Sequence, residues 1–192
     1  MGRDSILKAI KQHKPDLLPL PEIDGARFDD DVNLLDIFKH NVTLVGGSIK
    51  EIDKTLIDQE IKKQFPDAKS IVALAEASSL GTISVNKQTN PHDLATIDLA
   101  IVNGAFGVAE NGAVWISEKE SIVRVLPFIT NDLVVILSKE QLYLHMLNAY
   151  DAISTRDRSF GVFISGPSKT ADIEQCLVIG AQGAMSLTIL LV

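Results

Sequence analysis

Apolar and polar positions along the 192 residues switch between a helical and a strand period, and the switches divide the chain into predicted elements. Asp4-Ser5 followed by Ile6, Leu7, Ala9 and Ile10 predicts a short amphipathic helix ending near His13-Lys14-Pro15. Pro15 to Arg27, with three prolines, Gly25 and interspersed leucines, reads as an extended linker. The helix before it either packs on the body or reaches a partner subunit. Residues 1–27 are therefore read as an N-terminal helix and linker, and 28–192 as one domain. Asp29-Asp30-Asp31 caps a second helix through Leu34, Leu35, Ile37 and Phe38 to about Val45, closed by Gly46-Gly47. Ser48 to Ile52 is a short strand. Asp53 to Phe65 is a helix with Ile57 and Ile61 on one face, and Ser70 to Leu74 is the next strand.

Glu76 to Pro91 is polar and turn-rich, a loop suited to covering a site. Leu94 to Val102 is an apolar run that contains Asp98, a carboxylate that must find a partner or stay near the surface. Asn111-Gly112 signals a tight hairpin turn before the strand Ala113 to Ser117, and Glu110 presents a carboxylate at a strand end. Glu118-Lys119-Glu120 reads as a solvated turn. Arg124, in a predicted strand Ile122 to Leu126, points into the same cleft or pairs with Glu120. Leu133 to Leu137 is a fully apolar strand. Ser138 then caps a predicted helix from Lys139 to about Ile153, with Leu142, Met146 and Leu147 inward and His145 toward water. Phe160 to Ile164 is a strand, Ser165 to Thr170 a polar turn, and Ala171 to Ile179 a predicted helix. Beyond Gly180-Ala181-Gln182-Gly183-Ala184, the unbroken apolar run Leu187 to Val192 suits a strand covered on both faces. Strands alternating with helices imply an α/β fold with a Rossmann-like, mostly parallel sheet. No G-x-G-x-x-G follows the first strand, so an ordinary dinucleotide site is not supported.

The order strand, tight loop, helix over Phe160 to Ile179 has chemical consequences. The first amides of a helix lack intrahelical partners and carry the positive end of its dipole, which favours a carboxylate or phosphate. Ser168 and Thr170 add hydroxyls, Lys169 adds a mobile positive charge, and Gly166 permits close approach to the backbone. The same residues also have a local role compatible with a ligand site: Ser168 or Thr170 caps the helix and Asp172 complements its dipole. The turn is not a Walker loop, because the Gly-rich span and the Gly-Lys-Ser/Thr ending are missing.

Hydrophobic residues at 46% and charged residues at 22% fit an ordinary soluble α/β domain, and a net charge of −7 without a basic stripe argues against nucleic-acid binding. Cys176, the single cysteine, has no partner for an intrachain disulfide and reads as a small core residue rather than a nucleophile. One thiolate cannot hold an iron–sulfur cluster, which needs about four ligands, so any redox metal belongs to a partner. His13, His40, His92 and His145 lack metal-ligand spacing, and no metal site is expected. No apolar secretory core and no run of membrane-span length occur, which makes the cytoplasm the expected location.

Two stretches carry a family resemblance. Ser165-Gly166-Pro167-Ser168-Lys169-Thr170-Ala171-Asp172-Ile173-Glu174 resembles the Gly-Pro-Ser-Arg/Lys-Thr-Ala-Asp-Ile-Glu signature of the LUD family, the lactate-utilisation protein C (LutC/YkgG-like) group. Ala109-Glu110-Asn111-Gly112 is similar to that family's Ala-Glu-x-Gly strand pair. The resemblance implies a fold of the NagB/ribose-5-phosphate isomerase/CoA-transferase type. It also implies a role in oxidising L-lactate to pyruvate beside iron–sulfur partner subunits, with no cofactor in this chain. The expected small-anion pocket comprises Ser165, Gly166, Ser168, Lys169, Thr170, Gly180, Gln182 and Gly183, with Glu110 as proton acceptor and Asn111, Gly112, Asp98 and Arg124 nearby. Two departures stand out: Asn111 where the family usually has Thr, and Gln182 in place of a histidine in a Gly-Val-His-Gly-Pro turn. Gln182 keeps hydrogen bonding but does not titrate near neutral pH. Glu110-Asn111-Gly112 also looks like the Glu-Asn-Gly motif of CoA transferases, an alternative in which Glu110 is an acyl-accepting nucleophile. A third reading is a non-catalytic binding or scaffold subunit, and a homo-oligomer is compatible with all three.

Overall fold

The structure, a computed structural model, describes residues 2–19, 21, 24, 28, 32–156, 159–171 and 176–192. The chain divides into two compact units, 1–30 and 31–192. In the first, helix α1 spans Arg3–Gln12 as its apolar spacing predicts, and none of its residues is buried.

The second unit opens with α2, Leu34–Leu44, whose first amides are met by the Asn33 side chain, which accepts from Leu35 N at 3.0 Å. The aspartates offered as its cap lie at 29–31, outside the described residues. Phe38 and Val42, one turn apart, are its buried positions. In chain order there follow β1 (Ser48–Glu51), α3 (Ile57–Gln64), β2 (Ile71–Ala73), β3 (Leu99–Asn103), β4 (Phe106–Val108) and β5 (Ala113–Ser117). Then come α4 (Glu118–Ser121), α5 (Leu126–Ile129), β6 (Asp132–Leu137), β7 (Leu142–Tyr143), α6 (Met146–Ser154), β8 (Gly161–Ile164), β9 (Lys169–Ala171), β10 (Leu177–Ile179) and β11 (Ser186–Leu191).

Five of these strands form a parallel sheet in the order β1-β11-β6-β3-β2. The architecture is the expected α/β type with a mostly parallel, Rossmann-like sheet. Strand periodicity sorts its side chains onto two dry faces. Leu99, Ile101, Val134, Ile136 and Leu190 pack with Ile57 and Ile61 of α3, while Ala100, Val102, Leu133, Val135, Leu187, Ile189 and Leu191 pack with Phe38 and Val42 of α2. Burying an aliphatic side chain of this size contributes about 1.5–3 kcal/mol, so this double layer dominates the fold's stabilisation. A second sheet, β7-β4-β5-β8, turns the Asn111-Gly112 hairpin against it and carries an aromatic cluster in which Trp115 and Phe163 lie 4.6 Å apart.

Several expectations are corrected. Residues 169–171 and 177–179 form an antiparallel pair of strands instead of belonging to a turn and a helix, with 172–175, including Asp172 and Glu174, outside the described residues. The branched side chains of Val178 and Ile179 suit a strand, which the helical reading of this run overlooked. The expected helix from Lys139 begins only at Met146, because Leu142 and Tyr143 pair with Gly107 and Val108. Ile122 to Leu126 is no strand: Ile122 has φ +58°, outside the extended region. Arg124 lies in the bend between α4 and α5. Glu118 to Glu120 is more than a solvated turn, since Glu120 accepts from Ser117 N at 2.8 Å in a capping box that starts α4. Cys176 is exposed, not a core residue. Among the described residues no helix is long and apolar enough to cross a membrane.

Candidate functional site

The loop after β8 and the loop before β11 close on each other through Ser168. Its N–H donates to Ala184 O at 2.9 Å, its carbonyl accepts from Gly180 N at 3.0 Å, and its Oγ accepts from Gln182 N at 3.4 Å. These bonds fold two stretches on either side of the β9–β10 pair around a cavity of about 290 Å³. Ser165, Gly166, Ser168, Lys169, Thr170, Gln182 and Gly183 line it, and Gly180 bonds its rim. Apolar residues complete the lining, among them Pro127, Phe128, Leu133, Val162, Ile164 and Leu187. Leu133 and Leu187 belong to the first halves of β6 and β11, so the cavity stands toward the amino ends of the parallel strands. A lining of both polar and apolar groups suits a small ligand with both characters.

The structure brings in fewer of the other expected residues. Asn111 reaches the cavity's edge, where its carbonyl accepts from Ser165 Oγ at 2.7 Å. Its side chain serves its own turn, accepting from Ala113 N at 3.0 Å, a local role that explains Asn at this position. Gly112, at φ +65°, lies so close to α2 that a Cβ there would stand 2.6 Å from Val42 N. The turn is thus docked on α2, and Asn41 Nδ2 donates to Ala109 O at 2.7 Å. Glu110 faces the other way. Its Oε2 lies 2.9 Å from Nδ1 of His145, on the β7 side of the hairpin, whereas Ser165 follows β8 on the opposite side. His145, expected to face water, is therefore the partner of Glu110. Sequence reading missed this pair because the two residues are 35 positions apart with no local signal.

Asp98 and Arg124 are not among the cavity-lining residues. Asp98 accepts from the backbone N–H groups of Ser70 and Lys69, each at 2.8 Å, and these bonds hold its carboxyl below the usual Asp range. It fastens the start of β3 to the start of β2. Arg124 pairs with Glu118 at 3.3 Å, not Glu120, and lies over the Phe160 ring at 5.6 Å. The Glu118 carboxyl is lowered by the Ser159 hydroxyl and by Arg124. None of the loop from Glu76 to Pro91 lines the cavity; Asp58 ties part of it down by accepting from Ser78 Oγ at 2.7 Å and Ser79 Oγ at 2.6 Å. At the carboxyl end of the sheet a depression of about 460 Å³ holds Glu51, which Lys39 and Lys139 bond, and these bonds lower its carboxyl pKa. Among the described residues no cluster of three or more His, Cys, Asp or Glu could hold a metal ion.

Among the described residues no helix begins at this turn, because Lys169 opens β9. The polar part of the lining is instead built from loop backbone, Ser168, Thr170 and Gln182. Lys169 lines the cavity, yet its ammonium donates to Val45 O at the end of α2. Residues 25–192 match the LUD domain, a span that includes the hairpin turn, both cavity loops and the whole parallel sheet. The chain belongs to the LUD-domain family. Among curated relatives, lactate utilization protein C of Bacillus pumilus (strain SAFR-032) is 29% identical over 99 residues. That match covers 48% of this LUD-domain chain and 41% of the relative, so it spans less than half of the relative's length. The crystal structure of a DUF162-family protein from Deinococcus radiodurans matches with a TM-score of 0.61, covering 88% of this chain and 99% of that one. At 13% identity that likeness bears on the fold alone.

Proposed function

We propose that this LUD-domain chain is a subunit of an L-lactate-oxidising system. In this reading it works with iron–sulfur partner proteins that accept the electrons, and its cavity binds a small hydroxy or keto acid. The carrying observation is the closure of Ser165 to Thr170 onto Gln182 to Ala184, which brings polar groups of two family-matched loops into one lining. The name of the Bacillus relative supports the pathway. Lactate and pyruvate each offer a carboxylate and a second oxygen to the hydroxyls and amides of that lining, and a methyl group to Phe128, Val162 and Leu187. The carboxylate needs a cation, and among the described residues of the lining Lys169 is the charged side chain. Glu110 pairs with His145 on the other side of the hairpin and has no direct part in holding the ligand, which also weakens the acyl-transfer alternative.

The test is reconstitution of lactate-dependent electron transfer from purified iron–sulfur partner subunits with and without this chain. The reading expects a rate that rises with added chain and falls with Lys169→Ala. A rate indifferent to the chain overturns it. Thermal unfolding with lactate, pyruvate, phosphate or CoA reports the ligand class separately, because a ligand that binds the native state raises its stability.

A further inference from the structure

The cation of the cavity is already engaged by another element. Lys169 Nζ donates to the carbonyl of Val45, the C-cap residue of α2. The last carbonyls of a helix lack intrahelical partners and carry the negative end of its dipole, so a cation there is stabilising. α2 has no basic residue in its own last turn, and Lys169 supplies one from 124 residues away. Gly46 makes room for this contact. It has φ +83°, and a Cβ on it would lie 3.3 Å from Lys169 Nζ and 3.5 Å from Lys169 Cε. Gly46 is not among the residues that line the cavity.

We propose that Gly46 sets the affinity of the cavity for anions from outside it, because the Val45 carbonyl and a bound anion compete for the Lys169 ammonium. This rests on the anion-binding reading given above. A carboxylate or phosphate offers the ammonium a full charge where the carbonyl offers a partial one, and the charge-assisted bond is the stronger. Taking the ammonium leaves the end of α2 without its cation, and the free energy of that lost contact is subtracted from the affinity. By linkage, anything that displaces the ammonium from Val45 strengthens anion binding. An ammonium that used its three donors to serve both acceptors at once would show no such competition.

The decisive variant is Gly46→Asn, measured by calorimetric titration of the full chain with inorganic phosphate and with L-lactate. Asn tolerates the left-handed backbone, and its Cβ would crowd the Lys169 ammonium from 3.3 Å. Gly46→Asn is expected to bind about fivefold tighter than the native chain. Lys169→Met is expected to bind about tenfold weaker or worse. Hydrogen exchange gives an arm that needs no Gly46 variant. In the native chain the anion should speed exchange at Gly46 and Gly47, whose amides bond Thr43 O and Val42 O, and in Lys169→Met it should not. Unchanged or weaker binding by folded Gly46→Asn, or anion-independent exchange at those amides, overturns the competition while the anion cavity stands. Equal binding by Lys169→Met overturns it as well. A native chain that binds neither anion overturns the anion reading itself, and the competition falls with it.

Discussion

Leu177-Val178-Ile179 and Leu187 to Leu191 are alike in apolar character, yet the first run lies open to solvent and the second lies in the core. β11 is bonded on both edges, to β1 and β6, and its Ile189, Leu190 and Leu191 are wholly buried. β10 pairs with β9 on one edge, and Leu177 remains 66% exposed. The difference lies in cover. β11 has α3 behind one face and α2 with the second sheet behind the other, whereas β10 belongs to a two-stranded pair, which is marginal by itself in water. The cavity draws on both regions: Leu133 and Leu187 come from the well-packed sheet, and Lys169 and Thr170 from the exposed pair. A ligand would therefore meet a stable floor and a weakly held rim, the arrangement from which binding elements are commonly drawn.

The largest test of this contrast is Ile189→Ala, which should cost about 2–5 kcal/mol in urea unfolding because a fully buried side chain leaves a cavity between two packed layers. Gly161→Ala comes next, for a Cβ there would stand 1.9 Å from Trp115 Cζ2 at the β5–β8 pairing. It should cost about 1–3 kcal/mol and disturb the tryptophan fluorescence, the mark of an overpacked contact. A smaller effect is the acid response of Asp98. The Ser70 and Lys69 amides lower its pKa in the folded chain, so its contribution is present above the ordinary Asp value of about 3.9 and is lost as pH falls through the lower folded value. Urea midpoints taken at neutral pH and down the acid limb should fall less steeply for Asp98→Asn; an identical limb would remove Asp98 from the account. The smallest change is expected for Leu177→Ala, within about 0.5 kcal/mol, as for an exposed site. A loss there equal to that of Ile189→Ala would mean that β10 is covered in solution.

Much of the core was legible because its signals are local. The apolar runs at Leu133 to Leu137 and Leu187 to Leu191 are strands, Ile57 and Ile61 share a buried helix face, and Asn111-Gly112 makes the hairpin turn. Half of the candidate site was legible too, since Ser165 to Thr170 and Gln182-Gly183 do meet at one cavity. Its chemistry was not. The turn leads into a strand, so among the described residues no helix begins there, and Glu110 turns toward His145. Leu142-Tyr143 sits in a run with helical spacing and becomes a strand because Gly107 and Val108 offer an edge to pair with. Cys176 looked like a core residue among apolar neighbours, but those neighbours are themselves exposed.

By itself the sequence determined where the chain extends, coils and turns in its core, because period, β-branching and Asn-Gly chemistry act within a few residues. Tertiary structure alone decided that Leu177 to Ile179 is left uncovered, which imidazole meets Glu110 and where Lys169 rests its charge. Those outcomes depend on strand order, which sets residues 35 and 124 positions apart against each other, and no local pattern records such a distance.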